Sequence, residues 1–204
     1  MGKQNLKCGF IGQGFIGKNY ADDFEARGYN IVRYDTGKYK ENKELISTCD
    51  IVFIAVPTPQ TPQGFDAHIL EEVLPLVGPK AIAVIKSTII VGTTERLQAM
   101  FPDIMVMHSP EFLTEKTAIE DAKKPERNII GITELDNELM VKSAEMVMET
   151  LPKAPYQLIC QAKEAELIKY GGNCWFYFKV VFMNILFDLC QANGVDFDQV
   201  KDGM

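Results

Sequence analysis

Short apolar runs rich in Val and Ile alternate along this chain with longer stretches whose apolar positions return every three or four residues. The short runs, at 6–11, 30–34, 50–56, 81–87, 104–108 and 128–132, are bounded by turn residues and predict strands. Helical spacing falls between them near 15–27, 40–48, 66–77, 92–100 and 113–121, and most regularly at 136–150. That alternation predicts a doubly wound, mostly parallel α/β sheet with crossover helices on both faces. It ends around 151–155, where a further strand at 156–160 leads into one long helical stretch over 162–192. The pattern therefore predicts one α/β domain over 1–160, then a long C-terminal helix in 161–204 that begins a second domain. Only 57–64 reads as a loop rich in Pro, Gln and Thr.

Gly12-Gln13-Gly14-Phe15-Ile16-Gly17 sits between the first strand and the first helix. In that context the spacing matches a Rossmann-like dinucleotide-binding fingerprint. Gly12 permits a tight turn, Gly14 lets a pyrophosphate approach the backbone, and Gly17 lets helix and strand pack closely. The phosphates then meet the helix N-terminus, where unpaired N–H groups and the macrodipole favour negative charge. Asp35 ends the second predicted strand, 18 residues after Gly17. A carboxylate there accepts the ribose hydroxyls of adenosine and repels a 2′-phosphate, so NAD is expected over NADP. Arg33, Lys38 and Lys40 lie close by and leave room for the phosphorylated cofactor; Lys40 is also a candidate cofactor contact.

The 204 residues are 47% hydrophobic and 24% charged, which excludes a disordered, collagen-like or disulfide-scaffold chain. A net charge of −7 disfavours nucleic-acid binding. Five scattered cysteines without a C-x-x-C pair suit a reducing cytoplasm and give no metal signature. The start of the chain runs directly into a strand pattern, so no secretory signal is expected. The apolar stretch 167–190 has nearly the length of a membrane span but carries Lys169, Lys179, Asp188 and the pair Gly171-Gly172. A buried helix of a soluble protein is expected instead. Its aromatic residues Trp175, Phe176, Phe178, Phe182 and Phe187 exceed what one face needs, which predicts a homodimer through this helix.

Four later motifs carry a resemblance. They are Ala55-Val56-Pro57-Thr58-Pro59; Lys86-Ser87-Thr88-Ile89 with Val91-Gly92-Thr93-Thr94; Ser109-Pro110-Glu111-Phe112-Leu113-Thr114-Glu115; and Glu166-Leu167-Ile168-Lys169-Tyr170-Gly171-Gly172-Asn173. In this order, behind a dinucleotide fingerprint, they resemble the UDP-glucose/GDP-mannose dehydrogenase family. The resemblance covers nearly the whole chain but only the N-terminal half of a typical member. It implies NAD-dependent oxidation of the C6 hydroxymethyl of a nucleotide sugar to a carboxylate.

Each motif also has a reading of its own. Loops after strand C-termini are where an open α/β sheet binds ligand, so Val56, Pro57, Thr58, Ser87 and Thr88 are placed toward the crevice; a rigid strand exit is the alternative. The resemblance puts Thr58 near the NAD ribose and nicotinamide, and Thr88 in hydrogen bonding at the active site. Glu111 and Glu115 are four apart in a segment that begins a predicted helix, so both can point from one face. Acids in a first turn also simply suit the helix dipole. The resemblance makes Glu111 a carboxylate acting on water or substrate and sets Glu115 toward the nicotinamide. Lys169 and Asn173 share a helix face, where the lysine could snorkel or pair; the resemblance makes them stabilisers of the oxyanion at the sugar C6.

The chain departs from the family pattern in one chemical respect. The family's nucleophile, a cysteine in a G-G-x-C-x-P-K-D segment that captures the aldehyde as a thiohemiacetal, has no counterpart among Cys8, Cys49, Cys160, Cys174 and Cys190. Cys174 and Cys190 fall within the long helix and read as structural. A domain for the nucleoside half of the substrate is likewise missing, so these residues read as a piece of a longer dehydrogenase or as a naturally short dinucleotide-binding module. A 3-hydroxyacid or 6-phosphogluconate type of dehydrogenase is a further alternative, disfavoured by Pro110-Glu111-Phe112-Leu113.

Overall fold

The computed structural model describes residues 6–114 and 116–204. A seven-stranded sheet forms its centre, in the order β2-β1-β3-β6-β7-β8-β9. Strands β1 (Lys7–Ile11), β2 (Asn30–Tyr34), β3 (Ile51–Ile54), β6 (Ile82–Ile85) and β7 (Met105–His108) are mutually parallel. All residues of β3 and β6 are buried, as their unbroken apolar runs require of strands covered on both faces. On one face Phe10, Phe24 and Phe53 pack with ring centroids 5.1–5.3 Å apart, and burying each ring stabilises by about 1.5–3 kcal/mol. On the other face Ile54, Leu70, Leu74, Ile85 and Leu97 form a second core.

Five α-helices accompany the strands in this part: α1 (Phe15–Ala26), α2 (His68–Val73), α3 (Thr93–Met100), α4 (Ala118–Lys123) and α5 (Glu138–Thr150). The segment at 40–48 is a 3-10 helix rather than an α-helix, with Ile46 its one buried residue. A single anchor gives too little packing to enforce α-helical winding. Within the predicted loop, β4 (Gln60–Thr61) and β5 (Gly64–Phe65) make a small antiparallel hairpin. The helix expected at 113–121 begins only at Ala118, and Glu111 to Thr114 are not helical.

Strand β8 (Arg127–Ile132) runs antiparallel to β7, with Gly131 opposite His108, whereas β9 (Tyr156–Gln161) runs parallel to β8. The long helix α6 (Ala162–Asn193) follows β9 without a loop. At Gly131 a Cβ would lie 2.6 Å from Ala165 Cβ and 2.9 Å from Ala162 Cα, so the absent side chain lets the start of α6 seat on the sheet.

The chain divides into two compact units inside α6, between Lys169 and Tyr170. The second unit holds the rest of α6 and a short helix α7 (Phe197–Asp202), which the hydrophobic pattern did not predict and which Asp196 caps. Phe187 and Phe197 meet edge to face at 5.4 Å. Against the expectation of a buried helix, only 6% of the most apolar window of α6 is covered within this chain, although the helix is long and apolar enough to cross a membrane. Cys174 is exposed, so it does not fill a core as expected, while Cys190 is buried.

Candidate functional site

The glycine turn is built by contact as well as by conformation. Gly12 has φ +87°, and a Cβ there would stand 2.3 Å from Ala55 O. A Cβ on Gly17 would stand 1.9 Å from Gly12 O. A Cβ on Gly14 would meet nothing within 4 Å, and no side chain caps α1. The first-turn amides of α1 are therefore left without a capping side chain, and an anion can take them. Phe15 is exposed at the head of this helix, while Ile16 packs on the core.

Asp35 follows β2 directly and is held beside the turn. Its Oδ2 accepts from Gln13 N at 2.8 Å and its Oδ1 from Gly37 N at 2.7 Å. The Gln13 amide above all, with those of Gly37 and Lys38, holds its carboxyl below the usual aspartate range. A diphosphate on the uncapped amides and ribose hydroxyls on Asp35 fit these groups. Lys40 is exposed at the start of the 3-10 helix, and no described contact joins it to Asp35 or to the turn. Arg33 is committed to Asp22 and Glu25.

The loops after β3 and β6 are tied together across the strand ends. Ser87 Oγ donates to Val56 O at 2.6 Å, and Thr58 Oγ1 donates to Thr88 O at 2.7 Å. Pro57 is exposed beside Thr58. The Thr88 side chain makes no hydrogen bond among the described residues, so its hydroxyl is available to a ligand.

Glu111 lies at the centre of a buried charge cluster beyond β7. With no helix there, the idea that it shares a helical face with Glu115 does not hold for this residue, and Glu115 itself lies outside the described residues. Glu111 Oε1 instead accepts from Phe112 N at 2.7 Å and Leu113 N at 2.9 Å, which fixes the carboxylate in its own loop. Its Oε2 is buried without a hydrogen bond; Lys86 Nζ stands 3.3 Å away as an ion pair outside hydrogen-bond geometry. Lys86 also reaches Ser109 Oγ at 3.3 Å and lies 4.4 Å from the centre of the Tyr20 ring. Burial pushes the Lys86 ammonium down, opposed by the Glu111 charge, and pushes the Tyr20 hydroxyl up, with the Glu111 charge adding to it.

Lys169 reaches the same loop from α6. Its Nζ donates to the Glu111 backbone carbonyl and lies 5.6 Å from the Phe112 ring. Burial lowers its pKa, and the Glu111 charge partly offsets this. Asn173 falls in the second unit and is exposed. Arg127 stacks on Phe112 at 4.2 Å. Tyr20, Lys86, Ser109, Glu111, Phe112 and Arg127 line a cavity of about 290 Å³. A larger hollow of about 850 Å³, lined by Leu6, Asp50, Lys80 and Pro102 among others, includes neither the glycine turn nor Glu111.

Sequence reasoning missed Lys86 and Tyr20 as members of this cluster. The available signal was a lysine closing an otherwise fully apolar strand. His108, the last residue of β7, is fully buried with Nδ1 3.1 Å from Ile85 O, and burial pushes its pKa down to about 3. Glu166 proves structural: it accepts from Gly92 N at 2.6 Å, Thr94 N at 2.8 Å and Thr94 Oγ1 at 2.6 Å, capping α3. No group of His, Cys, Asp and Glu suited to a metal occurs among the described residues.

An open sheet with this turn and this acid defines, as a class, a dinucleotide-binding α/β domain whose crevice lies beyond the strand ends. The family profile narrows the class: the NAD binding domain of the UDP-glucose/GDP-mannose dehydrogenase family matches residues 37–150, and the central domain of that family matches 163–204. The chain belongs to this family. A UDP-glucose 6-dehydrogenase of Rhizobium meliloti is 30% identical over 79% of this chain and 40% of its own length. One from Pseudomonas aeruginosa is 32% identical over 79% of this chain and 38% of its own length. The chain thus spans about two-fifths of these relatives. The structure of a UDP-glucose dehydrogenase from Pyrobaculum islandicum superimposes with a TM-score of 0.84 at 26% identity, covering 99% of this chain and 57% of that one.

Proposed function

We propose that these residues form the NAD-binding half and central helix of a cytoplasmic nucleotide-sugar 6-dehydrogenase acting on a UDP-glucose or GDP-mannose type of substrate. The observation that carries this reading is the buried Glu111 carboxylate, ion-paired with the buried Lys86 beside a cavity at the strand ends of a chain in this family. The amides at Gly14, Phe15 and Ile16 hold the cofactor diphosphate, Asp35 holds the adenosine ribose, and Val56, Thr58 and Ser87 frame the crevice. When bound, NAD supplies the hydride acceptor. Glu111 Oε2 takes the proton leaving the substrate hydroxyl or an attacking water, and Thr88 orients that group through its free hydroxyl. Lys169 stabilises negative charge developing on the C6 oxygen, because a preorganised ammonium in a partly desolvated place favours the charged transition state. The resemblance also assigns a role in this reaction to Asn173.

The domains follow the same reading: 1–160 for the cofactor, and 161–204 as the start of a second domain. Trp175, Phe176, Tyr177 and Phe178 are each more than 60% exposed, which supports a homodimer through α6 rather than a solvated helix. Lys179 and Asp188 within that stretch favour a protein partner over lipid.

Calorimetry should show saturable NADH binding, while UDP-glucose or GDP-mannose with NAD should give no C6 carboxylate product, since the cysteine that captures the aldehyde for the second oxidation has no counterpart here. Absence of NADH binding removes the proposal. Full turnover removes the claim that the cysteine is needed from elsewhere.

A further inference from the structure

Arg33 lies on β2, two residues before Asp35, and the two residues grip the same member of the glycine turn. Asp35 Oδ2 accepts from the Gln13 backbone N–H at 2.8 Å, and Arg33 Nη1 donates to Gln13 Oε1 at 3.4 Å. The remaining bonds of the guanidinium run to α1. Nη1 donates to Asp22 Oδ1 at 2.7 Å and Nη2 to Glu25 Oε2 at 2.7 Å. The Arg33 side chain is only 11% exposed, so these pairs are shielded better than ordinary surface ion pairs. Asp22 is itself held by Lys18, and Lys18 and Arg33 together keep its carboxyl below the usual range. Beside the network lies a cavity of about 400 Å³, lined by Gln13, Lys18, Arg33, Lys38 and Tyr39 among others. The guanidinium that shares Gln13 with the ribose acid is therefore already occupied by two carboxylates of α1.

In this fold class an arginine near the ribose acid is the group that accommodates a 2′-phosphate. A guanidinium with two carboxylates already in its fork cannot offer the same donors to a phosphate without giving up those bonds. We propose that Asp22 and Glu25 are specificity-determining residues for the dinucleotide: by occupying Arg33 they keep it from a 2′-phosphate, so that the site takes NAD and rejects NADP. This rests on the reading of the glycine turn and Asp35 as the cofactor site. Asp35 supplies the repulsion, and the α1 carboxylates withhold the compensating cation.

The test compares NADH and NADPH by calorimetry on the 204-residue chain. D22N/E25Q, which keeps the shape of both side chains, should tighten NADPH binding about tenfold, the effect of roughly one good charge-assisted contact, and change NADH less than twofold. R33A in that background should return NADPH binding to the wild-type level, and R33A alone should give no gain. E25Q alone, on the more exposed partner, should give a smaller gain and serves if the double variant does not fold. An unchanged NADPH affinity in the folded variants overturns the proposal. So does a gain that survives R33A, since it would come from net charge alone. A wild-type chain that binds neither dinucleotide overturns the cofactor reading and this inference with it.

Discussion

Both compact units are rich in aromatic residues, and they treat them in opposite ways. In the first, Phe10, Phe24 and Phe53 are at most 2% exposed and close on one another under the sheet. In the second, Trp175, Phe176 and Phe178 are at least 61% exposed. The strands and helices of residues 6–169 carry their own cover, whereas the helical surface of 170–204 has the composition of a core without the cover. The same apolar content thus accompanies two outcomes: a filled core, and an aromatic surface left exposed.

The sharpest way to break this contrast is to make one substitution in each unit. Phe10→Ala should cost about 3–5 kcal/mol in denaturant unfolding, because it opens a cavity in a fully packed cluster. Phe176→Ala should leave the unfolding free energy of a dilute sample nearly unchanged while weakening self-association in sedimentation. Equal destabilisation by both would show that the second unit is a core in its own right.

A second effect separates the units by pH. The folded-state pKa of His108 is depressed to about 3 from 6.5, so between those values the unfolded chain binds a proton that the native chain refuses. Its contribution to stability is complete above about pH 6.5 and is lost progressively as pH falls toward 3. Urea unfolding at pH 7, 5 and 4 should show this loss in the wild type and a flatter profile in His108→Gln. Because His108 lies in the first unit, the self-association attributed to α6 should not follow the same curve.

The smallest expected effect concerns two matched caps. Asn137 accepts from Leu139 N and Met140 N at the start of α5, and Asp196 accepts from Asp198 N and Gln199 N at the start of α7. Asn137→Ala should cost about 1 kcal/mol of global stability, as loss of a cap usually does. Asp196→Ala should only speed hydrogen exchange within the six-residue α7. A global loss from the second substitution would join α7 to the cooperative core.

Much of the first unit was legible because its signals are local. Ile51–Ile54 and Ile82–Ile85 are unbroken apolar runs, and Gly12, Gly17 and Asp35 act through backbone contacts that their spacing already implies. The loop at Glu111 was misread for a physical reason. Acids after a proline imitate the start of a helix, but Glu111 Oε1 takes the Phe112 and Leu113 amides for itself, and the helix waits until Ala118. Lys86 went unassigned because its partners Glu111, Ser109 and Tyr20 are distant in sequence. The role of Glu166 as a cap for α3 was hidden likewise, the amides that donate to it lying 72 and 74 residues away. Burial of α6 could not be read from its composition, since its composition asks for cover without saying which surface provides it.

The reversed course of β8 has one more consequence. In a fully parallel sheet, every strand delivers its final residues to the ligand edge, and its opening residues emerge on the far side. By running backwards against β7, β8 brings its first residue, Arg127, onto Phe112 beside the Glu111 loop. This inversion, which β9 shares, thus supplies the rim of that cavity with a positive charge from the beginning of a strand, a place that the five strands running the other way can furnish only from their tails.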